Sequence, residues 1–202
     1  MPPAQPHHSS VIAVFCGARP GTTPEHTGLA RKFGAALGRR GLGMVYGAGG
    51  VGVMGAAAEA ALANGAAVTG VIPQDLHERE RAQQAPGEIF VVRSMHQRKA
   101  LMYRLSGSFA VLPGGLGTMD ELMEVATWNQ LGVHEKPVVL LNASGYFTPL
   151  LAFFDHMVAE GFLSADERRL VHAVSDVEDA LDLLAPDSRV LDTKQPLAGS
   201  AL

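Results

Sequence analysis

The chain has 202 residues, 47% of them hydrophobic, and a formal net charge of −4 at pH 7. This length and apolar content suffice for one well-buried core with at most a small appendage. The charge gives no electrostatic basis for binding nucleic acid or an anionic membrane, and no apolar run reaches the roughly 18 residues of a membrane span. Cys16 is the only cysteine, so an internal disulfide is excluded. We therefore expect a cytoplasmic protein.

The two ends of the chain are predicted to lie outside the folded domain. The first ten residues are rich in Pro, His and Ser and lack the charged start and apolar block of a secretory signal. The segment from Pro186 onward has a similar loose composition. We expect a single domain over residues 11–185, flanked by tails over residues 1–10 and 186–202.

Between the tails, short apolar runs alternate with helical patterns. In chain order the predicted elements are strand Val11–Phe15, helix Pro24–Arg40, strand Leu42–Tyr46, helix Val53–Asn64, strand Ala67–Ile72, strand Glu88–Val92, helix Met95–Leu105, strand Phe109–Leu112, helix Thr118–Leu131, strand Pro137–Asn142 and helix Tyr146–Glu160. Capping-box patterns at Ser164 and Ser175 predict two further helix starts. The segment from Gln74 to Gly87 is predicted to be a long polar loop.

This alternation predicts an α/β fold, a doubly wound parallel sheet with helices on both faces. Ligands of such sheets bind beyond the carboxyl ends of the strands. The turns that follow the predicted strands should therefore meet at one edge, among them Cys16-Gly17, Gly47–Gly52 and Pro113–Thr118.

The glycine-rich stretch Pro113–Thr118 connects an apolar strand to a helix that opens with Thr and acidic residues. Such a turn directs backbone N–H groups and the positive end of a helix dipole at one point, which suits a phosphate. It is not a P-loop, because no Gly-Lys-Ser/Thr follows. Thr118 and Glu121 could form only a capping box, or the same cap could hold a catalytic Glu121 rigid.

Arg98 and Lys99 lie on the helix that precedes this strand. Cations on an amphipathic helix usually form a solvated face. Here the helix starts at the ligand edge, and Arg and Lys both suit phosphate contact. His96 could be a surface histidine or a participant, whereas Cys16 and Trp128 are expected to be packing residues. The scattered His and acidic residues show no metal-ligand spacing.

The stretch Gly47–Gly52 satisfies the dinucleotide pattern G-x-G-x-x-G. The pattern normally occupies the first strand–helix turn and needs an acidic residue at the end of the next strand. That strand ends in Ile72-Pro73, and Asp75 is a poor substitute. Close helix–strand packing and a position near a phosphate are the alternatives for these glycines.

Five segments resemble the LONELY GUY (LOG) family: Cys16-Gly17, Tyr46–Gly55, Gly70–Pro73, Met95–Lys99 and Pro113–Glu121. Thr127–Gly132 and Lys136–Val138 continue the resemblance, which extends from Val11 to Leu184. The paired motifs Met-x-x-Arg-Lys and Pro-Gly-Gly-x-Gly-Thr-x-x-Glu are its most specific part. One departure is visible after Gly17, where Ala18 and Arg19 stand in place of the serines of many relatives.

The resemblance implies a Rossmann-like fold, a homodimer, and hydrolysis of the N-glycosidic bond of cytokinin riboside 5′-monophosphates and AMP. It implies no cofactor and no metal. Arg98 and Glu121 fall on the family's catalytic pair. The implied substrate-binding residues, besides that pair, are Glu80, Lys99, Gly114, Gly115, Leu116, Gly117, Thr118, Met119, Asp120 and Thr127.

In the mechanism we expect, Glu121 stabilises an oxocarbenium-like state or activates water at C1′. The Pro113–Thr118 amides and the Thr118 hydroxyl anchor the phosphate, and Arg98 orients the substrate and keeps Glu121 ionised. Two alternatives stay open at this point. A non-catalytic carrier of a nucleotide or phosphorylated cofactor needs neither Glu121 nor Arg98, and a pyridoxal-phosphate lysine decarboxylase needs a Schiff-base lysine.

Overall fold

A computed structural model describes residues 11–79 and 85–186. Within these residues, one sheet has seven parallel strands: β1 (Val11–Phe15), β2 (Gly43–Tyr46), β3 (Val68–Pro73), β4 (Glu88–Val92), β5 (Ser108–Val111), β6 (Val138–Leu141) and β7 (Val171–Val174). Their order across the sheet is β4-β3-β2-β1-β5-β6-β7. The direction of winding reverses between β1 and β5, which makes this the topological switch point. The predicted doubly wound parallel sheet is confirmed.

The described residues also contain eight helices: α1 (Pro24–Arg39), α2 (Gly52–Ala63), α3 (Gln74–Arg79), α4 (Met95–Leu105), α5 (Leu116–Gln130), α6 (Thr148–Ala159), α7 (Ala165–Arg168) and α8 (Val177–Leu184). Helix α3 corrects the prediction of an uninterrupted loop from Gln74 to Gly87. Across this six-residue helix, the Gln74 side chain donates a hydrogen bond of 2.8 Å to the Glu78 side chain. A helix this short is too brief to show a periodic apolar pattern.

The side chains of β1 show why helices cover both faces of the sheet. Ile12 and Val14 belong to the core formed with α1, α2 and α8, whereas Ala13 and Phe15 belong to the core formed with α4, α5 and α6. All four are at most 4% exposed. Successive side chains of a strand point to opposite faces, so a strand buried on both faces must be apolar throughout.

Helices α1 and α2 pack closely because glycines line their contact. A Cβ at Gly34 would overlap the carbonyl oxygen of Ala57, and a Cβ at Gly38 would crowd that of Ala61. Both glycines are buried. This close approach fixes how the turns before the two helices lie relative to each other.

The helix and strand predictions in the last third of the chain are partly confirmed. Ser164 forms the predicted capping box with Glu167 at the start of α7. The second predicted helix is confirmed as α8, but its cap is Asp176 rather than Ser175: the Asp176 side chain accepts hydrogen bonds from the Glu178 and Asp179 amides. Strand β7 was not predicted, because four residues with exposed His172 and Ala173 give too weak an apolar signal.

No helix within residues 11–79 and 85–186 is long and apolar enough to cross a membrane. The two predicted tails lie, except for Pro186, outside the described residues.

Candidate functional site

The carboxyl ends of β1, β2 and β5 open into a cleft of about 780 Å³, a volume typical of small-molecule sites. Residues from the turn after each of these strands line it, including Gly17, Gly47 and Gly114. The cleft lies at the switch point between β1 and β5. The predicted meeting of the strand-end turns at one edge is therefore confirmed.

The amino terminus of α5 lies in the wall of this cleft. Gly115 is its N-cap residue, and no side chain caps the helix. The first amide with an intrahelical partner is that of Met119, which donates to the Gly115 carbonyl at 3.1 Å. The amides from Gly115 to Thr118 have no hydrogen-bond partner among the described residues, so they are available to an anion in the cleft.

Two details of the predicted turn are corrected. Helix α5 begins at Leu116 rather than at Thr118, so Thr118 is its third residue and the predicted capping box with Glu121 does not form. Thr118 is 3% exposed and lines the cleft, and its hydroxyl lies against Gly114. That hydroxyl makes no side-chain hydrogen bond in the part of the chain that the structure describes. It is placed to bind a ligand rather than to cap the helix.

The turns after β1 and β5 touch through glycines. The Gly17 amide donates to the Pro113 carbonyl at 3.0 Å, and a Cβ on Gly17 or Gly114 would crowd the other residue. This contact satisfies the Pro113 carbonyl. It also explains why glycines occupy both positions.

The second glycine-rich turn, Gly47–Gly52, is packed against the turn after β1. The amides of Val53 and Met54 at the start of α2 donate to the carbonyls of Arg19 and Gly17, at 3.4 and 3.0 Å. A Cβ on Gly52 would overlap the backbone of Ala18 and Arg19. Close packing of the turns after β1 and β2 thus accounts for Gly52, whereas a position near a phosphate stays an alternative for Gly47 and Gly49, which line the cleft.

Arg98 on α4 and Glu121 on α5 meet at the bottom of the cleft. The Arg98 Nη2 and Glu121 Oε1 atoms are 3.7 Å apart, and each side chain is 11% exposed. Arg98 is thus not on a solvated face. Its Nε atom is buried without a hydrogen-bond partner in the described residues, so the guanidinium retains donors for a ligand. The predicted pair comes together.

Burial dominates the ionisation of Glu121. Removal from water raises the pKa of this carboxyl from its ordinary 4.5 to about 7, against the opposing effect of the Arg98 guanidinium. The expectation that Arg98 keeps Glu121 ionised at neutral pH is therefore corrected. A carboxyl with this pKa is about half protonated at pH 7 and can both accept and release a proton under working conditions.

Lys99 joins α4 to α5 rather than reaching free into the cleft. Its Nζ atom lies 3.2 Å from Asp120 Oδ2 and 3.3 Å from Glu124 Oε1. Burial acts to lower the pKa of Lys99, but its hydrogen bonds to Asp120 and Glu124 outweigh burial and raise it. Lys99 and Asp120 both line the cleft, so this ion pair forms part of its charged wall.

Two predicted substrate-binding residues are not brought into the cleft. Met119 packs partly buried against the core on the α4–α5–α6 side, and Thr127 is exposed farther along α5. Glu80 lies outside the described residues. Their assignments stay predictions. His96 is exposed, which agrees with the alternative of a surface histidine. Trp128 packs edge-on against Tyr103, with ring centroids 5.0 Å apart.

Sequence reasoning missed two aromatic residues of the cleft, His26 and Tyr146. Tyr146 follows the carboxyl end of β6, so its position after a strand was an available signal. His26 lies on α1, where no motif distinguished it. Cys16 also lines the cleft but is 3% exposed. Burial, and to a smaller extent the nearby Glu121 carboxylate, raise the pKa of its thiol. Cys16 is therefore a packing residue, as predicted.

A sequence profile of the family described as "Possible lysine decarboxylase" matches residues 54–184. The chain is also 46% identical over 171 residues to the cytokinin riboside 5′-monophosphate phosphoribohydrolase of Rhodococcoides fascians, covering 84% of this chain and 86% of that protein. It is 45% identical over 168 residues to the enzyme of the same name, LOG7, of Arabidopsis thaliana, covering 83% and 77%. The chain belongs to the LONELY GUY family.

Solved structures support the fold of this LONELY GUY protein. The molybdenum cofactor carrier protein of Chlamydomonas reinhardtii superposes with a TM-score of 0.63 at 24% identity, covering 87% of this chain and 98% of the carrier. At that identity the similarity concerns the fold alone. It shows that the chain shares its Rossmann-like fold with the carrier protein.

The lysine decarboxylase chemistry in the profile's description does not fit the cleft. Of the lysines in the described residues, only Lys99 lines it. A Schiff base needs an unprotonated amine, whereas Asp120 and Glu124 raise the pKa of Lys99 and hold it as an ammonium. Among the same residues, no three His, Cys, Asp or Glu side chains are grouped so that they could hold a metal ion.

Proposed function

We propose that this LONELY GUY protein hydrolyses the N-glycosidic bond of cytokinin riboside 5′-monophosphates and of AMP, giving the free adenine-type base and ribose 5-phosphate. The names of its relatives support this reaction. The observation that carries it is the position of Glu121 on α5. The same helix offers unpaired amides at its start and a buried carboxyl about one turn farther on.

The phosphate binds at the start of α5. The amides from Gly115 to Thr118 and the Thr118 hydroxyl donate hydrogen bonds to it, and the helix dipole favours its charge. Anchoring at this point fixes the ribose above the next turn of the helix, where Glu121 lies. Positioning of this kind supplies several kcal/mol of the barrier reduction.

Glu121 acts on the reacting carbon C1′. In its ionised form it stabilises the oxocarbenium-like charge on the ribose and accepts the proton of the attacking water. Arg98, with its unpartnered Nε, orients the substrate and offsets part of the cost of ionising Glu121 in a buried setting. Lys99, held by Asp120 and Glu124, contributes positive charge without moving into the cleft.

The reaction is tested by chromatography of the products from AMP and isopentenyladenosine monophosphate, with the two unphosphorylated ribosides in parallel. We expect free base from the monophosphates only, because the ribosides lack the group that α5 binds. Detectable binding of the monophosphates without any release of base would replace the hydrolase with a non-catalytic carrier.

The role of Glu121 is tested with Glu121→Gln, which keeps the shape of the side chain but cannot ionise. We expect the rate of base release to fall by about two to four orders of magnitude, the usual contribution of an acid–base group together with electrostatic stabilisation. Glu160→Gln is the matched control, since Glu160 is exposed and does not line the cleft, with an expected rate within about threefold of the wild type. Full activity in Glu121→Gln would contradict the mechanism.

We propose further that the protein is a cytoplasmic homodimer, as the resemblance implies. The edge strand β4 supports association, since Phe90 and Val91 are 42% and 44% exposed there. Light scattering at micromolar concentration should give about twice the chain mass of 21.2 kDa. A mass equal to one chain would contradict the dimer.

A further inference from the structure

Tyr146, on the connection between β6 and α6, has no role in the reaction described above, yet its hydroxyl reaches the phosphate turn. That hydroxyl donates a hydrogen bond of 2.5 Å to the Gly114 carbonyl, the shortest bond between two turns of the cleft. The contact joins the end of β6 to the end of β5, residues 32 positions apart. It therefore links the phosphate turn to an element outside it.

The bonded carbonyl belongs to the peptide unit between Gly114 and Gly115. The described residues contain no cis peptide, so this unit is trans, and its C=O and N–H point in opposite directions. Holding the Gly114 carbonyl thus also sets the direction of the Gly115 amide, the first of the unpaired amides at α5.

Two successive glycines make this peptide unit easy to rotate. A Cβ at Gly115 would meet no atom within 4 Å, so packing does not restrain it there. Glycine has the widest backbone freedom of all residues. Rotation of the unit would direct the Gly114 carbonyl, a negative dipole end, toward a bound phosphate in place of the amide.

The Tyr146 ring is itself held in place. It packs edge-on against Phe147, which is 1% exposed, with ring centroids 5.0 Å apart. His26 also approaches it edge-on, with ring centroids 5.6 Å apart, and the His26 ring in turn lies against Gly21. Tyr146 is 42% exposed, so these two ring contacts, together with the bond to Gly114, are what hold its hydroxyl at the phosphate turn.

We propose that Tyr146 is a positioning residue for the phosphate group of the substrate: its hydroxyl locks the Gly114–Gly115 peptide with the Gly115 amide available to the anion. The inference rests on the proposed function, because it assigns the ligand of this turn as a phosphate monoester. Tyr146 does not touch the reacting atoms in this scheme. Its effect is confined to binding of the phosphate.

The test compares the wild type with Tyr146→Phe, which removes only the hydroxyl and keeps both ring contacts. Binding of ribose 5-phosphate, inorganic phosphate and adenine is measured by calorimetry. We expect Tyr146→Phe to weaken both phosphate ligands by about fivefold to thirtyfold, as for a lost hydrogen bond that supports a charged group, and to leave adenine unchanged. The KM for AMP should rise by a similar factor while kcat stays within about threefold.

Two readouts separate positioning from a general structural effect. In the wild type, the Gly115 amide resonance should shift on phosphate titration, and this shift should be reduced in Tyr146→Phe at the same fractional occupancy. Tyr103→Phe is the control, since its hydroxyl has no hydrogen-bond partner among the described residues and Tyr103 does not line the cleft. Tyr103→Phe should bind both phosphate ligands as the wild type does.

The outcomes distinguish the inference from the function on which it rests. Wild-type phosphate affinity in Tyr146→Phe, with AMP hydrolysis intact, would overturn the inference alone. Phosphate binding that depends on Tyr146 in a protein that releases no base would support the inference and overturn the hydrolase. Absence of phosphate binding in the wild type would overturn both.

Discussion

At the scale of single residues, the position of Arg98 depends on the lack of a side chain at Gly47. A Cβ at Gly47, directly after β2, would overlap the Arg98 guanidinium. Gly47 therefore holds space for the arginine that pairs with Glu121, although it contacts the cleft only through its backbone. The first glycine of the apparent dinucleotide motif thus leaves room for the arginine of the Arg98–Glu121 pair.

We predict that Gly47→Ala lowers the rate of base release by about a hundredfold, because displacement of a positioning group by an ångström has an effect of this size. The double variant Gly47→Ala/Arg98→Ala isolates the cause. If Gly47→Ala acts through Arg98, it should have little further effect once Arg98 is gone. Two effects that multiply in the double variant would show that Gly47 acts by another route.

The sequence predicted which charged residues meet in the cleft better than it predicted their surroundings. Arg98, Lys99 and Glu121 were expected there because each lies in a motif next to the strand-end edge. The pKa of Glu121 could not be predicted, because it depends on how deeply α4 and α5 bury the carboxyl. Gly47 and Tyr146 were missed as site residues because their effect comes from contacts between turns that are far apart in sequence.

At the scale of elements, the close contact between α1 and α2 depends on two glycines of α1, Gly34 and Gly38. A third glycine of α1, Gly28, makes no such contact. A Cβ at Gly34 would overlap the Ala57 carbonyl oxygen, whereas a Cβ at Gly28 on the same helix would meet nothing within 4 Å. Helix α2 follows the turn that contacts Arg19 and Gly17, so its position also affects the wall of the cleft.

We predict that Gly34→Ala lowers the free energy of unfolding by about 1–3 kcal/mol, because the helices must separate to admit the methyl group. Gly28→Ala is the matched control and should raise it by up to about 1 kcal/mol, since alanine is the better helix residue. Urea denaturation of both variants measures the difference. Equal midpoints would show that the α1–α2 contact is not close packed in solution.

Element boundaries show what local pattern can and cannot establish. Strand β1 and helix α4 were predicted to the residue, since an apolar run and a Ser-capped start mark them. Strand β7 and helix α3 were missed, because a few residues carry too little periodicity and owe their structure to neighbours in the sheet. The order of the strands depends on contacts across the whole sheet and was not predicted from any one segment.

At the scale of the whole molecule, the buried carboxyl that the proposed reaction uses lowers the stability of the fold when it ionises. Burial raises the pKa of Glu121 to about 7, so the folded state binds a proton there that the unfolded state releases near 4.5. The free energy of unfolding changes with pH in proportion to the protons bound by the unfolded state minus those bound by the native state. That difference is negative between these two values, so the contribution of Glu121 to stability is greatest below about pH 4.5 and is lost as pH rises through about 7.

We predict that this loss disappears in Glu121→Gln, which carries no titrating group at position 121. Urea denaturation at pH 5 and pH 8 should show that the wild type loses roughly 2–3 kcal/mol more than Glu121→Gln over this interval, the size expected for a shift from 4.5 to about 7. Other titrating groups are common to both proteins and cancel in the comparison. If the two proteins follow parallel curves, Glu121 is ionised at its ordinary pKa and the cleft is wetter than its burial indicates. If they diverge as predicted, the carboxyl that the reaction needs is one that the fold would hold more stably in its protonated form.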